Sequence, residues 1–229
     1  MSLAPNDLEK GGRIGHNLYP AMSYVPPPPR KLANPSPLGL FSFASTTLLL
    51  SFINAQTRKL TDPNMVVGMA FAVGGLAQVL AGMCEFVVGN TFGYTAFCSY
   101  GGFWISLGLI FWPSSGILAA YEDDAHALNS ALGLYMMVWF IFTFILIIPS
   151  ARHTAGLLSV ISVLAVTFLV LGIGHLTQTT GIIKVGGYLG CITAFLAYYT
   201  GAQGLFATEG VPFSLPNPTF KKKTGGFSY

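Results

Sequence analysis

Hydrophobic positions along this chain come in long unbroken runs, not in the alternating period of two that marks a strand or the apolar stripe of a surface helix. Six runs are long enough, or nearly so, to cross a hydrocarbon layer of roughly 30 Å as helices. They cover Leu38 to Ile53, lengthened by Asn54 to Gln56; Val66 to Val88; Thr91 to Trp112; Leu128 to Ile148; Ala155 to Leu176; and Ile182 to Phe206. Breakers separate them: Asp62-Pro63-Asn64, Gly89-Asn90, Pro113 to Gly116, Pro149-Ser150 and Thr177 to Gly181. The connections are short, so the pattern predicts one compact all-α membrane bundle of six transmembrane helices. A β-barrel is excluded by the absence of alternating segments of about ten residues.

Composition agrees with a membrane setting. The 229 residues are 52% hydrophobic and 8% charged, against roughly 25% charged in soluble domains. The net charge of +3 is too small and too dispersed to argue for nucleic acid as a partner. Residues 1–33 read as a polar tail with a polyproline stretch at Pro26 to Pro29 and without the apolar core of a signal peptide. Residues 34–208 form the transport-sized core, and 209–229 a second, basic tail. With both termini in the cytoplasm, Lys10, Arg13, Arg30, Lys31, Arg152 and Lys221 to Lys223 lie inside and Arg58, Lys59 and Lys184 outside. That distribution favours this orientation, and the expected location is the plasma membrane.

Charge inside a span is costly and by default marks function. Here only Glu85, Lys184 and His175 fall within spans, each near enough to an end to reach an interface. A buried relay of acids and lysines is therefore not expected. Cys84, Cys98 and Cys191 show no C-x-x-C or Cys/His pairing, so no metal, cofactor or disulfide framework is predicted. Uncharged polar groups do recur at helical spacing: Phe43, Thr47, Leu50 and Asn54 share one face of the first span, Tyr94, Phe97, Gly101, Trp104 and Gly108 one face of the third, with Tyr100 beside them, and Leu164, Thr167, Leu171 and His175 one face of the fifth.

Gly68, Gly75 and Gly82 repeat every seven residues on the second span, and Gly186 and Gly190 form a G-x-x-x-G on the sixth. Small residues at such spacing allow close backbone approach, either within the bundle or between protomers. Asn34-Pro35-Ser36-Pro37-Leu38-Gly39-Leu40 heads the first span. Its prolines suit a first helical turn, where their missing N–H groups cost nothing, and Asn34 is placed to cap it. Recessed into a cavity, such a helix start would seat a carboxylate.

These residues resemble the acetate uptake transporters, also called the succinate/acetate permease or glyoxylate pathway regulator family. The first motif is similar to the family's N-P-A-P-L-G-L, with Ser36 replacing Ala. A second block runs through Gly89-Asn90-Thr91-Phe92-Gly93, Thr95-Ala96-Phe97, Ser99-Tyr100-Gly101 and Phe103-Trp104, and a third through Gly75, Ala77-Gln78, Ala81-Gly82 and Glu85. The likeness covers roughly residues 32 to 208. It implies a six-helix protomer with cytoplasmic termini, a ring-shaped homohexamer with one pathway per protomer, and passage of acetate and related short carboxylic acids, succinate among them. It also implies a hydrophobic constriction on Phe43, Tyr100 and Leu164. Asn34, Thr46, Thr47, Gln78, Phe97 and Glu85 are further candidate lining residues, with Tyr100, Thr46 and Thr47 offered as partners for the carboxyl group. An uncharged pathway suits an acid whose pKa, roughly 4 to 5, leaves a neutral fraction at mildly acidic pH.

Two other readings compete. A membrane acetate sensor would signal through its tails. An aquaporin-like channel would need two Asn-Pro motifs heading half-helices inside the membrane, and the second pair, Asn217-Pro218, lies beyond the last span. An enzyme is not expected, because no nucleophile with a base, acid pair or metal set can be assembled at membrane depth.

Overall fold

The computed structural model of the protein describes residues 32–220. The polyproline stretch and Lys221 to Lys223 lie outside the described residues. Six helices are long and apolar enough to span a membrane, with mean hydropathy between 1.2 and 2.6 over their most apolar windows: α1 Ser36–Asn54, α2 Pro63–Val87, α3 Thr91–Phe111, α4 Ala125–Ser150, α5 Ala155–Leu176 and α6 Thr180–Glu209. The protein is a multi-pass integral membrane protein. Odd-numbered helices start at one end of the bundle, which we call the Asn34 end, and even-numbered ones at the other.

Helix starts follow local chemistry. Asn90, Asp124 and Thr154 cap α3, α4 and α5, their side-chain oxygens accepting the N–H of Gly93, Ala127 and Leu157. Each satisfies one of the donors that a helix start leaves free. At α1 the arrangement is shifted by one residue from the expected cap. Pro35 occupies the capping position, and Asn34, one residue earlier, accepts the N–H of Ser36 at 3.1 Å. Proline cannot itself supply a capping side chain, so the residue before it takes over.

Two features depart from the sequence pattern. Pro149, expected to end the fourth span, lies inside α4, which runs on to Ser150. So late in the helix its missing N–H removes a single turn bond. The second departure is a π-helical stretch, Ala72–Ala77, in the middle of α2. There a Cβ on Gly75 would stand 2.5 Å from the Ala70 carbonyl, so the wide turn requires glycine.

The central helix is α1, which packs on α6 and α2, while α5 packs between α4 and α6 and α2 lies along α3. α4 is the least covered, with Leu134, Val138, Ile141, Phe144, Ile145 and Ile148 all exposed for lipid or another protomer. Helices α3 and α4 meet mainly through large rings: Phe103 stacks on Tyr135 at 5.8 Å and meets Trp139 edge-on at 5.0 Å, and Tyr100 meets Phe142 edge-on at 5.6 Å. Rings of this size hold the backbones apart and leave room on the inner side of α3.

The glycine repeats face inward. An added Cβ would strike Ile105 at Gly75, Cys98 at Gly82, Leu171 at Gly186, the α1 backbone at Ala55 for Gly187, and Ser51 at Gly190. Of the seven-residue repeat only Gly68 meets nothing within 4 Å. Close packing within the bundle therefore accounts for Gly75, Gly82, Gly186, Gly187 and Gly190, and these five carry no argument for pairing of protomers.

Candidate functional site

Two cavities enter the bundle from opposite ends. The first, of about 230 Å³, opens at the Asn34 end and is lined by α1, α2, α3, α5, α6 and the segment after α6. The second, about 400 Å³, opens at the other end between the close of α1 and α3 and the starts of α2, α4 and α6. His175 lines it and shares a 3.0 Å hydrogen bond with Asn129.

Phe43, Tyr100 and Leu164 all line the first cavity, and all are buried. The rings of Phe43 and Tyr100 lie 5.7 Å apart, tilted by 46°. They stand on α1, α3 and α5, which run in the same direction. One turn deeper the same helices carry Thr47, Trp104 and Phe168, all buried and lining neither cavity.

Among the described residues no Asp, Glu, Lys or Arg lines the first cavity, and the histidine that does, His153 at the mouth, lies against Phe92 with ring centres 4.8 Å apart. Asn34, Gln78 and Phe97 are among its lining residues. Gln78 is fully buried, and neither its amide nitrogen nor its amide oxygen has a hydrogen-bond partner. A buried amide without partners costs free energy unless a ligand or water completes it, which singles out Gln78 among the lining residues as one with unused hydrogen-bonding capacity. Gln78 directly follows the π-helical turn, which shifts the register by which α2 presents its side chains. The paired Gly74-Gly75 was the local signal of that turn.

Other expected lining residues sit elsewhere. Thr46 faces α2, its Oγ1 2.8 Å from where a Gly74 Cβ would stand, and its hydroxyl donates to the Ser42 carbonyl at 3.0 Å. Thr47 belongs to the deeper layer, where its hydroxyl has no partner. The Tyr100 hydroxyl is directed at α4 and donates to Thr143 at 3.0 Å, which in turn donates to the Trp139 carbonyl. Its ring faces the cavity while its donor is committed elsewhere.

Glu85 corrects the expectation that it reaches an interface. It is 1% exposed and lies behind the cavity wall. Ser36 donates its hydroxyl to one carboxylate oxygen and Asn90 donates its amide to the other at 2.7 Å. The carboxylate thus occupies the space between the starts of α1 and α3, where two positive helix ends converge. The helix-start seat anticipated for a substrate carboxylate is filled by the protein's own. Among the described residues Asn217-Pro218 heads no helix, whereas an aquaporin-like channel requires a second half-helix there.

The chain is similar to known proteins over most of its length. It is 44% identical over 212 residues to ammonia transport outward protein 2 of Saccharomyces cerevisiae, covering 90% of this chain and 73% of that protein. It is 40% identical over 217 residues to acetate permease A of Emericella nidulans, covering 90% and 71%. The solved structure of the bacterial acetate channel SatP superimposes with a TM-score of 0.69 at 33% identity, covering 83% of this chain and all of that one. Residues 14–222 match the profile of a single family, and on that match the chain belongs to the GPR1/FUN34/yaaH family.

Proposed function

We propose that the protein transports acetate and related short carboxylic acids across its membrane, through the first cavity and past a constriction formed by Phe43, Tyr100 and Leu164. One observation carries this reading: among the described residues the cavity is lined by no acidic or basic side chain other than a histidine at its mouth, yet Gln78, a buried amide without partners, is one of its lining residues. An apolar floor accepts a methyl group, and the amide nitrogen donates to a carboxyl oxygen while the amide oxygen accepts from a carboxylic acid proton. A cavity of about 230 Å³ has room for a two-carbon acid. The names of the Emericella permease and the bacterial channel support the same substrate class.

In this reading the termini are cytoplasmic, so the Asn34 end faces the cell interior, the membrane is the plasma membrane, and protomers assemble as a closed hexamer through the apolar faces of α2, α4 and α6. Native mass spectrometry in mild detergents tests the assembly, and a monomer alone would overturn it.

Uptake of labelled acetate into liposomes holding the purified protein, with and without an inward proton gradient, tests the function. Saturable uptake above that of empty liposomes is expected, reduced by an excess of unlabelled acetate. Ammonium flux without acetate flux would overturn the reading in favour of the activity named for the yeast relative.

A further inference from the structure

The segment after α6 folds back to the start of α5 and reaches the first cavity through Asn217. Gly210 adopts a left-handed backbone, φ 66°, and the chain turns across the Asn34 end to reach the connection between α4 and α5. Thr219 pairs with Thr154 in an antiparallel bridge. Beside it the Ala155 N–H donates to the Pro218 carbonyl at 2.9 Å and the Phe220 N–H donates to the His153 carbonyl at 3.2 Å. Asn217 accepts the Gly156 N–H at 2.9 Å and donates to Gln203 at 3.2 Å, and the Tyr199 hydroxyl donates to the Pro216 carbonyl at 2.7 Å. The segment therefore takes up the first two free N–H groups of α5, and Asn217 forms part of the cavity wall.

Its attachment is polar and shallow. Seven of residues 211–220 are exposed. Phe213 is 58% exposed and rests edge-on against Phe206, and Phe220 is 43% exposed. A stretch held by a few hydrogen bonds with little apolar burial opens locally far more readily than the helices beneath it. The cavity behind it is continuous with its inner side through Asn217 and Gln203.

We propose that residues 211–220 are a gate over the first cavity: bonded to the start of α5 they narrow its mouth, and released they let a carboxylic acid pass. This rests on the transport reading above. Thr154 and Thr219 flank the two backbone bonds as a non-hydrogen-bonded antiparallel pair, whose Cα separation of about 4.5 Å accommodates a disulfide. The full-length Thr154→Cys, Thr219→Cys protein can thus be locked by oxidation and freed by reduction. Acetate uptake is measured in both states in liposomes, with wild type treated in parallel to account for Cys84, Cys98 and Cys191. Oxidation is expected to abolish uptake by the double variant and reduction to restore it. Equal uptake in the two states overturns the gate but leaves the transport reading intact, whereas wild type without uptake overturns that reading itself. If the disulfide does not form, or the reduced double variant is inactive, Tyr199→Phe decides: its ring lines neither cavity, and losing one net hydrogen bond raises the open fraction about fivefold, read as faster initial uptake at matched protein level. Unchanged or slower uptake overturns the proposal.

Discussion

Ser36, on the first turn of α1, donates its hydroxyl to the carboxylate of Glu85 near the end of α2. With Asn90 bonded to the other oxygen, one buried carboxylate ties together three helices at the Asn34 end. Ser36 stands where the resembled motif carries Ala, so this chain adds a hydrogen bond to a group already held by two helix starts. Ser36→Ala removes a hydrogen bond to the buried Glu85 carboxyl group and is expected to cost about 1 to 3 kcal/mol of stability. Thermal melts of the detergent-solubilised protein check this, and a melting temperature equal to wild type would show that the bond contributes nothing. Glu85→Leu, which strands Ser36 and Asn90, is expected to be worse than Ser36→Ala.

Gln78 should behave in the opposite way. Its amide is buried without partners, so Gln78→Leu, of similar volume, removes an uncompensated polar group. The variant is expected to be as stable as wild type or up to about 2 kcal/mol more stable. Its half-saturating acetate concentration should rise about tenfold, which corresponds to one lost polar contact of about 1.4 kcal/mol. Both are read on one preparation by melting and by uptake kinetics; unaltered kinetics would remove Gln78 from the pathway.

The ring of Phe43, Tyr100 and Leu164 selects by width if it is the constriction. Phe43→Ala or Leu164→Ala is expected to raise uptake of lactate and succinate relative to acetate. Each should also lower stability by about 2 to 5 kcal/mol, because each side chain is buried. Relative uptake at matched surface level is the measurement, and an unchanged ratio in both variants would place the narrowing elsewhere. Tyr100→Phe keeps the bulk and deletes a hydroxyl bonded to Thr143, so it should leave that ratio alone.

Glycine contacts make a further comparison. A Cβ on Gly187 would lie 2.4 Å from the backbone nitrogen of Ala55, which cannot move without shifting α1. At Gly204 the nearest atom is 3.6 Å away. Gly187→Ala should therefore impair folding and reduce the yield of monodisperse protein, whereas Gly204→Ala should not, as size-exclusion profiles would report. Equal profiles would mean that α1 and α6 are packed less tightly than their backbones suggest.

The number of spans and their approximate ends were legible in the sequence, because each depends on residues near in the chain: twenty or so apolar positions, then a breaker. Asn90 and the Ala155 to Leu176 span illustrate this. The family resemblance pointed to Phe43, Tyr100 and Leu164, and the fold brings all three to one cavity. What the spans do not encode locally is which side faces which neighbour, since helices apolar all round carry no stripe to orient them. Only tertiary packing turned Thr46 toward α2, directed the Tyr100 hydroxyl to Thr143, and left Gln78 without a partner beside the first cavity. The burial of Glu85 between two helix starts and the return of Asn217-Pro218 to the start of α5 depend on groups 49 and 61 residues apart. No local pattern specifies contacts at that separation, because they are set by the summed packing of all six helices and not by the chemistry of any one segment.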